Sequence, residues 1–329
     1  MKRREFIRLI GGAAAAWPVA VGAQQSTMQV VGFLDSGSPR PKSPYVVEFL
    51  EGLAQAGYFE GQNVAMAYRG AENQDNRLPS LATDLVRTQV AVIVATGSIG
   101  PAMAAKAATS TIPIVFALGA DPVKYGLVES LNRPGGNVTG ISFNTADLTG
   151  KRFELLCEIA PQATKIAYLS SGPDFITFEE ESSAIKEAAK ILQREVVFLE
   201  ARVERDVEAA FATLVHRRAG ALIVGVSPPM ARNSNKILAL AAPHKIPAIY
   251  AGSGWTAVGG LMSYGPDFPG LHRQLAVQYV ARILKGEKST DLPVQRPTRF
   301  RFVLNLKTAK AIGLEVPPMI LARADEVIE

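Results

Sequence analysis

Seven short runs of apolar, mostly β-branched residues recur along the chain, and each is followed by a turn of Gly, Ser, Asp or Pro. They are "VVGFLDSG", "AVIVATGS", "IPIVFALGADP", "KIAYLSSGP", "EVVFLEA", "ALIVGVSPP" and "IPAIYAGSG", most with no polar residue alternating inside the run. A strand apolar on both faces must be covered on both faces. Between the runs lie stretches with helical spacing. "PYVVEFLEGLAQAGY" puts Val46, Phe49, Leu50 and Leu53 on one stripe and stops at Gly57, and "EEESSAIKEAAKILQ" and "DVEAAFATLVHRR" are spaced alike. Regular alternation of this kind predicts an α/β fold with parallel sheets and right-handed crossovers.

Parallel sheets gather their loops and the positive ends of their helix dipoles at the carboxyl ends of the strands, so ligands bind there. The residues predicted at those ends are Asp35, Ser36 and Gly37; Thr96, Gly97 and Ser98; Gly119, Ala120 and Asp121; Ser170 and Ser171; Ser227; and Gly252 and Ser253. Small and hydroxylated side chains let backbone N–H groups approach a compact polar ligand. The plainer alternative is that each only makes a turn or caps a helix.

"LNRPGGNVTGISFNTADLTG" interrupts the alternation with Gly, Pro, Asn and Thr, leaving about four strand–helix units on either side. Two lobes are expected, with "NVTGISF" as a hinge strand, a second crossing at "GLMSYGPDFPG" and a third in the tail "RFRFVLNLKTAKAIGL". The expected division is residues 27–143 plus 266–289 in one lobe and 144–265 plus 290–329 in the other.

The first 23 residues read as an export signal. Lys2, Arg3, Arg4 and Arg8 precede "LIGGAAAAWPVAVGA", which is too short and too weakly apolar to span a bilayer. The Arg3-Arg4 pair resembles the twin-arginine signal, and Gly22-Ala23 offers a cleavage site, so a periplasmic protein is expected. Without that leader the net charge falls from +5 to +2. No basic run with interleaved aromatics points to nucleic acid. The lone Cys157, spaced with Phe153 and Leu156, reads as a buried structural thiol.

Several stretches carry a more specific signal: "FLEGLAQAGYFEGQNVAMAYRGAE", "RLPSLATDLV", "TIPIVFALGADPVKYGLVESLNRPGGNVTGIS", "KRFELLCEIAP" and the closing "LPVQRPTRFRFVLNLKTAKAIGLEVPPMILARADEVIE". Over nearly all of the chain after the leader, the sequence resembles the ABC-transporter substrate-binding proteins of the tryptophan and tyrosine type. The resemblance implies a two-lobed type I periplasmic-binding-protein fold, each lobe a parallel sheet flanked by helices, joined by hinge strands. It implies a small-molecule ligand, an amino acid or an aromatic acid, closed between the lobes and passed to an ABC permease in the inner membrane. A monomer with no cofactor and no catalytic residue is expected. By family position, Asp35, Ser36, Tyr45, Thr96, Gly97, Ser98, Gly119, Ala120, Asp121 and Ser142 are carried over to the ligand site from the first lobe and hinge. Ser170, Ser171, Ser227, Tyr250, Gly252 and Tyr264 are carried over from the second. This chain departs from the family where Ser170-Ser171-Gly172-Pro173 replaces a usual Asn-Pro pair, and where "AGSGWTAVGG" replaces a bulky charged segment. Trp255 in that segment is expected either to stack on a ligand ring or to cap a short helix.

An exported hydrolase using Ser98 is the alternative from another class, since "ATGSIGP" puts a serine on a strand-to-helix turn. The elbow pattern G-x-S-x-G fails at Thr96, and only His216, His244 and His272 could serve as base. "GSGWTA" fits a dinucleotide fingerprint but falls in a late unit, and "DLTGKR" lacks the first Gly of a P-loop. No Cys/His cluster suggests zinc. The run Glu179, Glu180 and Glu181 is expected to be a solvated helix start with no chemistry.

Overall fold

A computed structural model describes residues 28–38, 43–173 and 175–329; the export signal expected over 1–23 lies outside them. Apolar runs become strands wherever helices can cover both of their faces. β1 (Gln29–Asp35), β2 (Val64–Gly70), β3 (Val92–Thr96), β4 (Ile114–Leu118) and β5 (Val138–Ser142) form a five-stranded parallel sheet in the order β2-β1-β3-β4-β5. Helix α1 (Pro44–Gln55) covers one face, while α2 (Leu78–Arg87) and α3 (Ile99–Ala108) cover the other. β3 and β4 are buried at every residue, as their unbroken apolar runs require.

The second sheet has seven strands among the described residues. Chain order runs through α4 (Thr145–Ile159), β6 (Lys165–Ser170), α5 (Phe178–Ile191), β7 (Glu195–Glu200), α6 (Glu204–His216), β8 (Ala221–Val224), α7 (Pro228–Arg232) and α8 (Ser234–Ala241). It continues with β9 (Ala248–Tyr250), α9 (Ser253–Ala257) and β10 (Met262–Pro266). After an excursion to the first sheet, β11 (Phe300–Asn305) returns antiparallel to β10, and β12 (Glu326–Ile328) adds parallel to β11. The spatial order is β12-β11-β10-β9-β8-β6-β7.

The excursion consists of α10 (Phe268–Leu275), a π-helical turn over Ala276–Val280 and α11 (Ala281–Leu284), whose Leu271, Leu275, Tyr279 and Ile283 enter the first lobe's core beside Phe49 and Leu53. The chain then stays with the first sheet beyond residue 289, where the sequence placed the switch. Leu292 and Val294 pack into that lobe's cores, and Gln295 pairs with β5 through Ser142 N–H to its carbonyl (3.0 Å) and its own N–H to Gly140 (3.0 Å). The physical reason is that β5 would otherwise be a bare edge. Among the described residues three segments thus join the sheets: after β5, after β10, and between Gln295 and β11.

Cys157 is buried with a free thiol, as its helical spacing implied. The acidic run does not behave as expected. Glu181 is only 1% exposed and sits in the core, and Glu180 reaches across to Lys124 on the first lobe at 2.7 Å. With α4 packed on one side of α5 and the sheet beneath it, the helix has little room for a fully solvated acidic face. Among the described residues no helix is long and apolar enough to cross a membrane.

Candidate functional site

The carboxyl ends of β1, β3 and β4 face those of β8 and β9 across a cavity of about 730 Å³. Its first-lobe wall is polar and tightly braced. Asp35, the last residue of β1, accepts from Gly37 N–H (2.7 Å) on one carboxylate oxygen and from Thr96 Oγ1 (2.5 Å) on the other. Ser36 N–H donates to the Thr96 carbonyl (3.3 Å), locking the ends of β1 and β3 together. Gly97 follows with φ +91°, a conformation that L side chains rarely adopt, and an added Cβ would stand 2.3 Å from Ser36 Oγ. The Ser36 hydroxyl is buried at the wall and has no hydrogen-bond partner among the described residues. Ser98 begins α3, its side-chain oxygen accepting from Gly100 N–H.

At the mouth, Tyr45 stacks on His272 with ring centroids 5.1 Å apart and stays 46% exposed. His272 Nδ1 lies 2.8 Å from the Phe268 carbonyl, which fixes the proton on Nδ1 in the neutral ring. Burial pushes its pKa below the ordinary histidine value, against the Phe268 carbonyl and the Asp35 carboxylate, which favour the charged form. Burial and then the Asp35 charge push the Tyr45 phenol upward.

The second-lobe wall mixes apolar side chains with Arg232, Arg301 and Glu326. Trp255 lines the cavity and stacks on Tyr250 at 4.5 Å with the planes 12° apart, so it both caps the core and presents a ring edge or face to the ligand space. Phe143 and Phe268, where the first two connecting segments begin, meet edge to face at 5.2 Å and close the floor.

Of the residues expected here, Asp35, Ser36, Tyr45, Thr96, Gly97, Ser98, Gly119 and Ala120 line the cavity from the first lobe, and Ser227 and Gly252 line it from the second. Six others do not. Asp121 turns away to accept from Val123 and Lys124 N–H groups, and Ser142 is buried with its hydroxyl on the Ala120 carbonyl (3.2 Å). Tyr250 is a core residue behind Trp255, and Tyr264 lies on β10 against Phe300 and the core under α4. Ser170 and Ser171 line a separate small cavity behind Ser227. Tyr250 stands behind Trp255, Tyr264 points to the opposite face of the sheet, and the two serines share their small cavity with Phe175, Thr177, Val226 and Ser227. Sequence reasoning also passed over Phe143, Phe175 and Phe268 and gave His272 no binding role. The signal available for the two hinge phenylalanines was a large apolar residue at the start of each crossing segment.

Ser98 serves as a helix cap, and among the described residues no group of three His, Cys, Asp or Glu could hold a metal ion.

Comparison with known proteins places this geometry. Residues 44–328 match the family described as ABC transporter substrate binding protein. A tyrosine-binding protein of Clostridioides difficile (strain R20291) is 29% identical over 274 residues, covering 81% of this chain and 76% of that one. A conserved domain protein of Vibrio cholerae superimposes with a TM-score of 0.82 at 27% identity, over 91% of this chain and 99% of that one. An ABC domain from Streptococcus pneumoniae in complex with L-Trp has the same fold, with a TM-score of 0.81 at 24% identity over 91% and 99%. These matches exclude the hydrolase alternative. With the matched region running from the first described helix to the last strand, the chain belongs to the ABC transporter substrate binding proteins, which take a small-molecule ligand and serve a membrane permease rather than catalyse a reaction.

Proposed function

We propose that the cavity captures an aromatic L-amino acid as a zwitterion, and that the chain delivers it to its permease as a periplasmic monomer, exported by the twin-arginine-type leader of residues 1–23. Asp35 carries the reading. It is a carboxylate in the wall, braced by two donors but with lone pairs remaining for a ligand ammonium. The basic side chains lining the cavity are already committed or exposed: Arg301 is tied to Glu326 at 2.5 Å, Arg232 faces solvent, and burial disfavours the charged form of His272. An aromatic acid without an amine would bring its negative charge beside Asp35 with no compensating buried cation. The ligand carboxylate is received instead by the Ser36 hydroxyl and the Ile99 N–H at the start of the ten-residue α3, where Gly100 N–H is taken by Ser98 Oγ and Pro101 has none.

Aromatic side chains would lie among Tyr45, Phe143, Trp255 and Phe268. The relative named for tyrosine and the neighbour holding L-Trp support this choice of class. In operation, residues 28–143 with 267–296 and residues 144–266 with 297–329 move as the two bodies, and a ligand touching both walls favours the closed arrangement by its differential affinity.

Calorimetric titration with L-tryptophan, L-tyrosine and indole-3-propionate tests it. Binding of either amino acid with no measurable binding of the amine-free acid is expected; equal affinity for the acid removes Asp35 from recognition and overturns the proposal.

A further inference from the structure

Behind the second-lobe wall lies a buried polar cluster that the cavity itself does not explain. Arg152 on α4 is fully buried, and Glu181 on α5 and Tyr168 on β6 are each 1% exposed. Tyr168 Oη donates to Glu181 Oε2 at 2.5 Å, and the same oxygen accepts a longer bond from Val226 N–H at 3.4 Å. Arg152 lies in the same core, where burial disfavours its charged form and the Glu181 charge favours it. Buried charged groups are costly, so their presence in this core calls for a positional role.

The geometry around Gly225 shows what is being positioned. A Cβ on Gly225 would stand 2.8 Å from Tyr168 Oη and 3.2 Å from Glu181 Oε2, so glycine at the end of β8 lets the cluster come up under the backbone. Directly after it, Val226 and Ser227 form the second-lobe wall of the ligand cavity. Ser227 starts α7 by accepting from Met230 N–H, and its hydroxyl lies 2.6 Å from that of Ser171. A cavity of about 10 Å³ between Ser170, Ser171, Glu181 and Ser227 connects the cluster to this wall.

We infer that Glu181 is a positioning residue for ligand binding: it anchors the Val226 amide and thereby sets where Ser227 meets the ligand. The inference takes the large cavity as the ligand site and rests on that reading.

Two charge-neutral replacements separate positioning from structure. R152M/E181Q removes both buried charges but keeps a carbonyl acceptor for Tyr168 and Val226. R152M/E181M/Y168F removes every polar partner and refills the space with apolar side chains. Both are expected to melt within a few degrees of the parent. The first should bind L-tryptophan or L-tyrosine within about twofold of the parent, whereas the second should lose about fivefold, and S227A should abolish the difference between them. Equal affinities at equal melting temperatures would reduce the cluster to packing and overturn the inference. A ligand-free arm keeps the two readings apart: in ¹⁵N-labelled protein the Val226 amide proton should move upfield in the triple variant and stay near its parental position in R152M/E181Q. If neither amino acid binds the parent, the ligand assignment fails, while the amide shifts still decide the anchoring. Should the triple variant not fold, E181M alone, which leaves the Val226 N–H without this acceptor, must move the amide upfield; an unmoved amide overturns the inference.

Discussion

The two lobes meet the same cavity with opposite constructions. In the first, polarity sits at the surface of the wall: Asp35, Ser36 and Thr96 are locked by backbone contacts directly at the strand ends, and the core behind them, around Phe33, Phe49 and Leu53, is apolar. In the second, Val226, Trp255 and Ala251 face the space, the lining Arg301 and Glu326 are paired with each other, Arg232 is exposed, and the polar groups Arg152, Glu181 and Tyr168 lie a layer deeper. The difference teaches that similar layered sheets can divide labour. In the proposed reading, one lobe meets the ligand's charges with groups preorganised by its own backbone, and the other supplies a surface whose position is set from behind.

The sharpest way to break the comparison is to add one methyl group on each side. G97A forces an alanine to φ +91° and drives its Cβ to within 2.3 Å of Ser36 Oγ. Backbone strain of about 1–3 kcal/mol is expected in stability, and the displacement of Ser36 and Asp35 should reduce L-tryptophan affinity by about a hundredfold or more. G252A is its counterpart in the second lobe. The backbone there is extended, and the new Cβ meets only the Phe268 ring at 3.0 Å, so affinity should change by about threefold at most. Differential scanning fluorimetry and calorimetry on both variants check this; equal losses would mean that the first-lobe wall is no more rigidly specified than the second.

A charge substitution makes the same point at smaller scale. D35N keeps the size of the side chain but removes the carboxylate that faces the proposed ammonium. A loss of about 2 kcal/mol, roughly thirtyfold in Kd, is expected for L-tryptophan. S227A, on the opposite wall, removes a single neutral hydroxyl already engaged with Ser171, and should cost about fivefold or less. If S227A weakens binding more than D35N, recognition is centred in the second lobe and the division of labour is reversed.

The same asymmetry explains what could be read from the sequence. In the first lobe a site residue follows its strand by one or two positions, so an apolar run ending in "LDSG" or "VATGS" names Asp35, Ser36, Thr96 and Gly97 directly. The fold was legible for a related reason: strands buried on both faces are continuous in sequence, and β3, β4 and β8 are such runs. Edge strands were harder. β2 has only Val64 fully buried, so "VAMAYRG" lacks the unbroken apolar signature, and the three-residue β12 is too short to carry one. In the second lobe the strand-end rule misleads, because Trp255 on the short helix after β9 covers Tyr250, Tyr264 faces the opposite side of the sheet, and Ser170 opens onto the small cavity behind Ser227. Glu181 could not be separated from Glu179 and Glu180 by composition; only the packing of α4 against α5 shows which of the three faces inward. His272 is brought beside Tyr45 by a segment more than 200 residues away in sequence, and no local pattern marks that contact.

The lobes also touch away from the ligand, and the smallest expected effects lie there. Tyr125 Oη donates to the Ile176 carbonyl at 2.7 Å, and the Ile176 side chain packs against the first lobe's core. Lys124 pairs with Glu180 beside them at 2.7 Å, its side chain 45% exposed. An exposed ion pair is screened by salt and competes with water, so K124A should leave affinity within about twofold of the parent at physiological ionic strength. Y125F removes a hydrogen bond shielded on one side by Ile176, and a change of about threefold is expected, visible in small-angle scattering as a modest shift of the ligand-free population toward larger radii. The order of the two effects carries the argument. If both walls do the recognising, contacts beside the cleft only bias an equilibrium that the ligand decides. A tenfold loss in K124A that disappears at high salt would instead make the Lys124–Glu180 pair the element holding the lobes closed, and the ligand would then contribute far less to closure than the contrast between the two walls requires.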